Sequence, residues 1–280
     1  MNSHSRQDAL VRAMPVVFVL IWSTGFIVAR FGMPHAPPMK FLALRYLLSV
    51  MCFIVWAVAA GVPLVPSSMR QARHLAVTGV LMHAGYLGGV WAAVKLGMGA
   101  GLVALLVGLQ PVLTAIWVSS RGGQVSTRQW AGLALGFTGL ALVVWQKLGL
   151  GEIHGINFLL ALGALLSITA GTLYQKRFLE PCDVPTASLV QLSAAFVVTL
   201  PLTLLEPEAM RWNAQLIGSM AWSVLALTLG GSSLLYLVPP CTAVMAWMLF
   251  GEAITVFTIA GIALTAVGVS LVVRSPSPRP

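Results

Sequence analysis

Acidic residues are scarce in this chain: only seven of its 280 residues are Asp or Glu, and charged residues of both signs make up 8%. A soluble globular domain carries roughly 25% charged residues, so this chain cannot cover a water-facing surface. Proton-coupled carriers usually hold a carboxylate at membrane depth. All seven acids fall in predicted loops or at helix ends, which disfavours that class and cation pumps with a buried Glu: Asp8, Glu152, Glu180, Asp183, Glu206, Glu208 and Glu252.

Residues for catalysis or metal binding are also lacking. The three cysteines, Cys52, Cys182 and Cys241, are too far apart for zinc spacing or a disulfide framework. No His-Glu-x-x-His motif or buried acid beside a nucleophile occurs. We therefore predict no enzyme, no cofactor and no metal site. The net charge of +9 comes from single basic residues at the ends of apolar runs, which is typical of orientation signals and excludes nucleic acid as a partner.

Long apolar runs fill the rest of the chain. Hydrophobic residues make up 58% of it and its mean hydropathy is +0.91. A membrane-spanning helix needs about 20 apolar residues, and ten such runs predict an all-α integral membrane protein, the first run being a retained helix and not a signal peptide. The runs are 14–31, 41–61, 74–94, 99–118, 129–146, 155–174, 185–205, 214–229, 234–250 and 254–273.

The second half of the chain repeats the first with an offset of 129 residues. Pro111 matches Pro240, Gly122 matches Gly251, and the match continues to Val144 and Val273. We predict two five-helix repeats, 1–150 and 151–280. An odd number of helices per repeat inverts the second repeat in the membrane, and a central cavity between the two is where transporters bind small molecules.

Loop charges orient these helices. Lys and Arg on the side of the N-terminus outnumber those on the opposite side two to one, which places both termini in the cytoplasm. Aligning Gly88 with Gly230 leaves the second repeat about thirteen residues short between helices 8 and 9. Either that hairpin is tight or a loop is missing from the chain, and we favour the missing loop.

A few polar residues interrupt the apolar runs. His83 and Tyr86 are three residues apart in helix 3, on one helical face. They either line a cavity, with His83 titrating near neutral pH, or bond to a neighbouring helix. Arg45, one turn inside helix 2, either holds a substrate carboxylate or extends to the membrane edge.

Helix breaks and tryptophans supply further candidates. Gln110 precedes Pro111 in helix 4, and a proline there frees a backbone carbonyl that must line a cavity or pack in protein. Pro240 interrupts helix 9 at the matching position. Most of the nine tryptophans fit packing or an interfacial belt, but Trp22 and Trp91 have polar neighbours and could stack on a planar ligand.

The chain resembles the drug/metabolite transporter superfamily, EamA type. The resemblance rests on Ile21 to Phe26, on Phe41 with Arg45, and on Pro240 followed by the segment 250–252. Within the superfamily the chain looks most like the YddG-type exporters, which implies export of aromatic and other neutral amino acids. Gly123 stands where the second repeat has Glu252, so the loop acid found in both halves of many relatives occurs once here.

We therefore expect a monomeric exporter in the bacterial inner membrane, surrounded by lipid and working by alternating access as a uniporter or with weak proton coupling. Trp22, Tyr86 and Trp91 would pack against the side chain of an amino acid or similar metabolite. His83, Gln110 and Gln191 would bond its polar groups, and Arg45 its carboxylate. Alternatives are efflux of amphipathic drugs, an intramembrane enzyme acting on lipid-linked substrates, and a scaffold.

Overall fold

A computed structural model describes residues 23–123, 125–149 and 152–228, which are helical with short connecting loops. We number the helices α1 to α8 in chain order. The first described stretch is α1, residues 23–32. The others are α2 (Pro38–Ala60), α3 (Met69–Lys95), α4 (Ala100–Ser120), α5 (Thr127–Gly149), α6 (Gly155–Phe178), α7 (Val184–Leu205) and α8 (Ala214–Thr228).

These helices coincide with the first eight predicted runs. Five of them (α2, α3, α4, α6 and α7) are long and apolar enough to cross a membrane, so the protein is a multi-pass membrane protein. Helix α2 begins three residues before its predicted run because Pro38 occupies the first turn, where a proline ring costs no hydrogen bond. The ninth and tenth predicted helices, the short hairpin before helix 9 and Pro240 lie outside the described residues.

The helices pack in pairs around a common core. Helix α2 packs along α7, and α3 packs along α6. Helix α1 contacts α8, where the indole Nε1 of Trp222 donates to Thr24 Oγ1 at 2.7 Å. If the two repeats are inverted copies, α1 corresponds to α6, α2 to α7 and α3 to α8. The α2–α7 contact then corresponds to itself, and the α3–α6 contact corresponds to the α8–α1 contact. The ten-helix arrangement and the repeat boundaries stay predictions.

Wide helical turns occur in two of these helices. Residues Val80–Gly85 of α3 and Ser223–Thr228 of α8 form π-helical turns. The alignment of Gly88 with Gly230, an offset of 142, puts the first turn opposite 222–227, one residue from the second. Turns of this kind are frequent at functional sites, and both of these contribute residues to the cavity described below.

Close helix contacts depend on glycines that the apolar runs do not reveal. A Cβ added at Gly79 of α3 would lie 2.2 Å from the backbone oxygen of Gln191 in α7. A Cβ at Gly85 would lie 2.1 Å from Ser167 Oγ in α6, and one at Gly89 would lie 2.7 Å from the backbone oxygen of Leu160. Small residues therefore let α3 approach both α6 and α7 at backbone distance, as in other membrane helix contacts.

A set of charged side chains ties the loops together at the end of the bundle where α2 begins. The carboxylate of Glu206 accepts the backbone N–H groups of Met39 and Lys40, both at 2.9 Å. Lys95 Nζ donates to Glu208 Oε2 at 2.7 Å and to the backbone oxygen of Met33 at 3.1 Å. The α7–α8 loop is thus bonded to the start of α2 and to the end of α3, and the end of α3 is bonded to the α1–α2 loop. We call these six residues the loop cluster.

A second ion pair joins the end of α5 to the loop before α6. Lys147 Nζ contacts Glu152 Oε1 at 2.5 Å, with 8% of the lysine side chain and 32% of the glutamate side chain exposed. Asn157 donates to the backbone oxygens of Glu152 and Leu96. The buried cation at the end of α5 therefore has a carboxylate partner that is itself held in place.

Candidate functional site

A cavity of about 230 Å³ lies among α1, α2, α3, α6, α7 and α8. It is smaller than the roughly 300–1,000 Å³ of drug-sized sites, so it suits a single small metabolite. Five of the predicted site residues line it: Arg45, His83, Tyr86, Trp91 and Gln191. Helices α2, α3 and α7 contribute these five residues.

Arg45 is the charged residue among the described lining residues. Only 6% of it is exposed, and its Nε has no hydrogen-bond partner. The prediction left open whether its side chain extends to the membrane edge, and the structure places it at the cavity instead. A guanidinium in this position can bind a planar carboxylate through two parallel hydrogen bonds.

His83 lies inside the π-helical turn of α3 and lines the cavity beside the side chain of Gln191. Its backbone oxygen accepts a hydrogen bond from the hydroxyl of Tyr46 at 2.9 Å. The imidazole and the Tyr46 ring meet in a T-shaped arrangement, with centroids 6.2 Å apart. The Tyr46 side chain thus fixes the turn that presents His83, and the imidazole is hydrogen-bonded to the side chain of Gln191.

Aromatic side chains form the apolar wall. Trp91 is 1% exposed and stacks on Phe41 with ring centroids 4.4 Å apart. Tyr86, Phe26 and Phe53 line the cavity and are also buried. Because the Trp91 ring is held by Phe41, it forms a fixed surface for an apolar group rather than a mobile arm.

Two predicted site residues are not among these lining residues. Gln110 lies where α4 is interrupted at Gly108 and Leu109, and its Nε2 donates to Thr172 Oγ1 of α6 at 2.9 Å. The interruption therefore packs against protein, the second of the two possibilities that the sequence allowed. Trp22 lies outside the described residues, so its predicted stacking role stays a prediction.

Sequence reasoning missed several lining residues. Ser188 lies three residues before Gln191 on α7, and Phe53 lies eight residues after Arg45 on α2. Helical spacing places each pair on one face, so these two could have been found once Arg45 and Gln191 were chosen. Gln175 and Thr228, at the ends of α6 and α8, carry no such signal because each stands beside a predicted loop.

In the described part of the chain, apolar helices enclose a small cavity that is lined by one buried cation, an arrangement that suits a small molecule in a membrane protein. Residues 13–145 match the EamA-like transporter family. The match covers just under half of the chain, which is therefore similar to EamA-like transporters over those residues. The predicted resemblance to the EamA type of the drug/metabolite transporter superfamily is confirmed.

Several curated proteins are similar to this chain. A probable amino-acid metabolite efflux pump of Salmonella typhimurium is 27% identical over 71% of this chain and 64% of its own length. Its namesake in Escherichia coli is 24% identical over 70% and 62%. The matches thus span less than two thirds of both relatives. The uncharacterized transporter YvbV of Bacillus subtilis is 25% identical over 91% of this chain and 88% of its own length.

The fold also matches a solved structure. One crystal structure superimposes with a TM-score of 0.64 at 18% identity, covering 93% of this chain and 97% of its own. At that identity the match concerns the fold alone.

Proposed function

We propose that the protein exports small amphipathic metabolites, foremost aromatic and neutral amino acids, across the bacterial inner membrane. The match of residues 13–145 to EamA-like transporters and the names of the similar efflux pumps support a transporter. The observation that carries the substrate class is Arg45, a buried guanidinium that lines a cavity with apolar walls. It can hold a carboxylate while Phe26 and Phe53 contact an apolar side chain.

The mechanism that we propose is alternating access between two inverted repeats, with both termini in the cytoplasm. Among the described lining residues there is no Asp or Glu that could carry a proton through the membrane. Transport would then be facilitated diffusion, or would be weakly coupled to protons through His83. An imposed pH gradient should drive little accumulation against a substrate gradient; strong uphill transport that survives His83→Gln would contradict this mechanism.

Release from cells and counterflow in liposomes test the function. Cells that overexpress the chain should resist toxic analogues of aromatic amino acids and release phenylalanine. Purified protein in liposomes should exchange labelled phenylalanine, and Arg45→Gln should slow the exchange roughly ten-fold, because a hydrogen bond to a charged group contributes about 1.5–3 kcal/mol. Arg121→Gln is the matched control: it removes an exposed guanidinium that lies over Trp117, outside the cavity. Equal exchange by protein-free liposomes would refute the proposal.

Efflux of amphipathic drugs is the rival function. Many such compounds are hydrophobic cations, and these would meet the positive charge of Arg45 with no carboxylate among the described lining residues. Coulomb repulsion in a buried site opposes their binding. Export of tetraphenylphosphonium at the rate of phenylalanine would favour the rival.

A further inference from the structure

We infer that the cavity binds and exports monoanionic carboxylates with an apolar side chain, such as N-acylated or 2-oxo counterparts of aromatic amino acids, in preference to the zwitterionic amino acids themselves. The inference rests on the proposed export function and changes the order of its substrates, because it places the monoanionic counterparts ahead of the amino acids. It follows from the charges at the cavity and not from the shape of its walls.

Among the described residues, the charge at the cavity has one sign. Arg45 supplies a positive charge, and the polar groups that accompany it (those of Tyr86, His83, Gln175, Ser188, Gln191 and Thr228) carry no negative charge. The five acids in the described residues all lie elsewhere. Glu206 and Glu208 belong to the loop cluster, Glu152 pairs with Lys147, and Glu180 and Asp183 lie between α6 and α7.

A buried charge without a partner is costly, and a bound ligand of opposite charge removes that cost. A monoanion makes the loaded cavity neutral. A zwitterion leaves one net positive charge there and also brings an ammonium group that loses its water. Neutral oxygens such as those of Ser188 and Gln191 can accept its hydrogen bonds but cannot balance its charge. A monoanionic carboxylate should therefore bind more tightly than the amino acid with the same side chain.

The preference also supplies a driving force. A cell interior is negative, so moving one negative charge outward is favoured by roughly fifty-fold in the concentration ratio for each 100 mV. A uniporter for monoanions can thus export uphill without a proton-carrying carboxylate, which the described lining residues lack. One charge leaves the cell with each substrate, and no co-transported ion is needed.

Efflux from liposomes under a set potential tests the inference. The full chain is reconstituted, potassium and valinomycin fix the potential, and three labelled probes are compared: N-acetylphenylalanine (anion), phenylalanine (zwitterion) and phenylalaninamide (cation). We expect efflux of the anion to exceed that of the zwitterion at least ten-fold and to rise as the interior is made negative. Efflux of phenylalanine should not respond to the potential.

Variants of Arg45 assign the preference to its charge. In Arg45→Gln, N-acetylphenylalanine and phenylalanine should leave the liposomes at the same rate as each other. In Arg45→Lys, the three probes should keep the order of rates that they have in the wild type. Arg121→Gln, the exposed control, should behave as wild type. Should Arg45→Gln fail to fold, the Lys variant and competition between the probes on wild-type protein still decide the question.

Two outcomes overturn the inference in distinguishable ways. If phenylalanine is exported at least as fast as N-acetylphenylalanine and its efflux depends on Arg45, the inference fails and the proposed function stands. If no probe leaves faster than from protein-free liposomes although the protein is folded, the inference and the proposed function both fail.

Discussion

Two buried cations in this molecule differ in one respect. Arg45 in α2 is 6% exposed and Lys147 at the end of α5 is 7% exposed. Lys147 lies 2.5 Å from the carboxylate of Glu152, whereas the Nε of Arg45 has no hydrogen-bond partner and no carboxylate shares its cavity among the described residues. A paired buried charge serves the fold. A buried charge with no counterion among the described residues costs stability unless a ligand of opposite charge binds it, and we propose such a ligand for Arg45.

Replacing each of these two cations with the uncharged residue Met should change the stability of the protein in different ways, and this difference should be the largest of those predicted here. Lys147→Met should lower the free energy of unfolding by about 3 kcal/mol, because Glu152 loses its partner. That estimate is at the low end for buried pairs because Glu152 is 32% exposed. Arg45→Met should leave the stability unchanged or raise it, since it removes a buried charge that has no counterion among the described lining residues. Thermal unfolding of the purified proteins in detergent measures both.

The two melting temperatures must move differently for the comparison to hold. A loss in Arg45→Met as large as that in Lys147→Met would mean that Arg45 is a structural residue. The double variant Lys147→Met with Glu152→Gln serves as control. It should recover part of the loss, because it no longer leaves a charge unpaired.

The helix contact behind the cavity gives the next largest effect. Gly79→Ala would place a Cβ 2.2 Å from the backbone oxygen of Gln191, so α3 and α7 must separate and the wall that faces Arg45 must move. Overpacking of this kind costs about 2 kcal/mol, and substrate exchange should fall with stability. Gly163→Ala in α6 is the control, because nothing lies within 4 Å of its added Cβ. Equal stability of the two variants would contradict the close contact.

The loop cluster provides a smaller effect, far from the unpaired charge. Glu206→Gln weakens the bonds to the backbone N–H groups of Met39 and Lys40 at the start of α2. Loss of a helix cap costs about 1 kcal/mol, so the melting temperature should fall slightly. The exposed residue Glu180, which bonds to Gln71 only through its backbone oxygen, gives the control Glu180→Gln. A change in probe preference in Glu206→Gln would show that the loop cluster influences the cavity.

The smallest effect is a pH dependence in the same cluster. The hydrogen bond and charge of Lys95 lower the pKa of the Glu208 carboxyl below its ordinary value of 4.5. Stabilisation by this pair is therefore complete above pH 4.5 and is lost as the pH falls through the lower folded-state pKa. Wild-type protein should lose more stability than Glu208→Gln on acidification below pH 4.5. Parallel melting curves for the two proteins across that range would contradict the pairing.

The fold could be predicted from the sequence where one physical signal dominates. Apolar runs of spanning length gave the helices α2 to α8 because burial in lipid depends on composition and length. The early start of α3 at Met69 was missed, since its first turn is polar and lies outside the apolar run. The π-helical turns were also missed, because an extra residue in a turn leaves no mark in hydropathy.

The site was predictable in part for a related reason. Arg45, His83 and Tyr86 stand out because polar groups are costly in an apolar run, and all three line the cavity. Gln110 has the same signal but bonds to Thr172. Which neighbour a polar group meets depends on helix packing, and that packing follows from glycines such as Gly79 whose role appears only in three dimensions.

Calorimetric titration of the purified protein measures directly whether the charge of Arg45 binds a carboxylate ligand. N-acetylphenylalanine and N-acetylphenylalaninamide have nearly the same shape and differ in whether a negative carboxylate is present. We expect the carboxylate to bind at least ten-fold more tightly than the amide and Arg45→Gln to abolish this difference. Equal affinity of wild-type protein for both compounds would contradict the claim that the charge of Arg45 is reserved for a ligand.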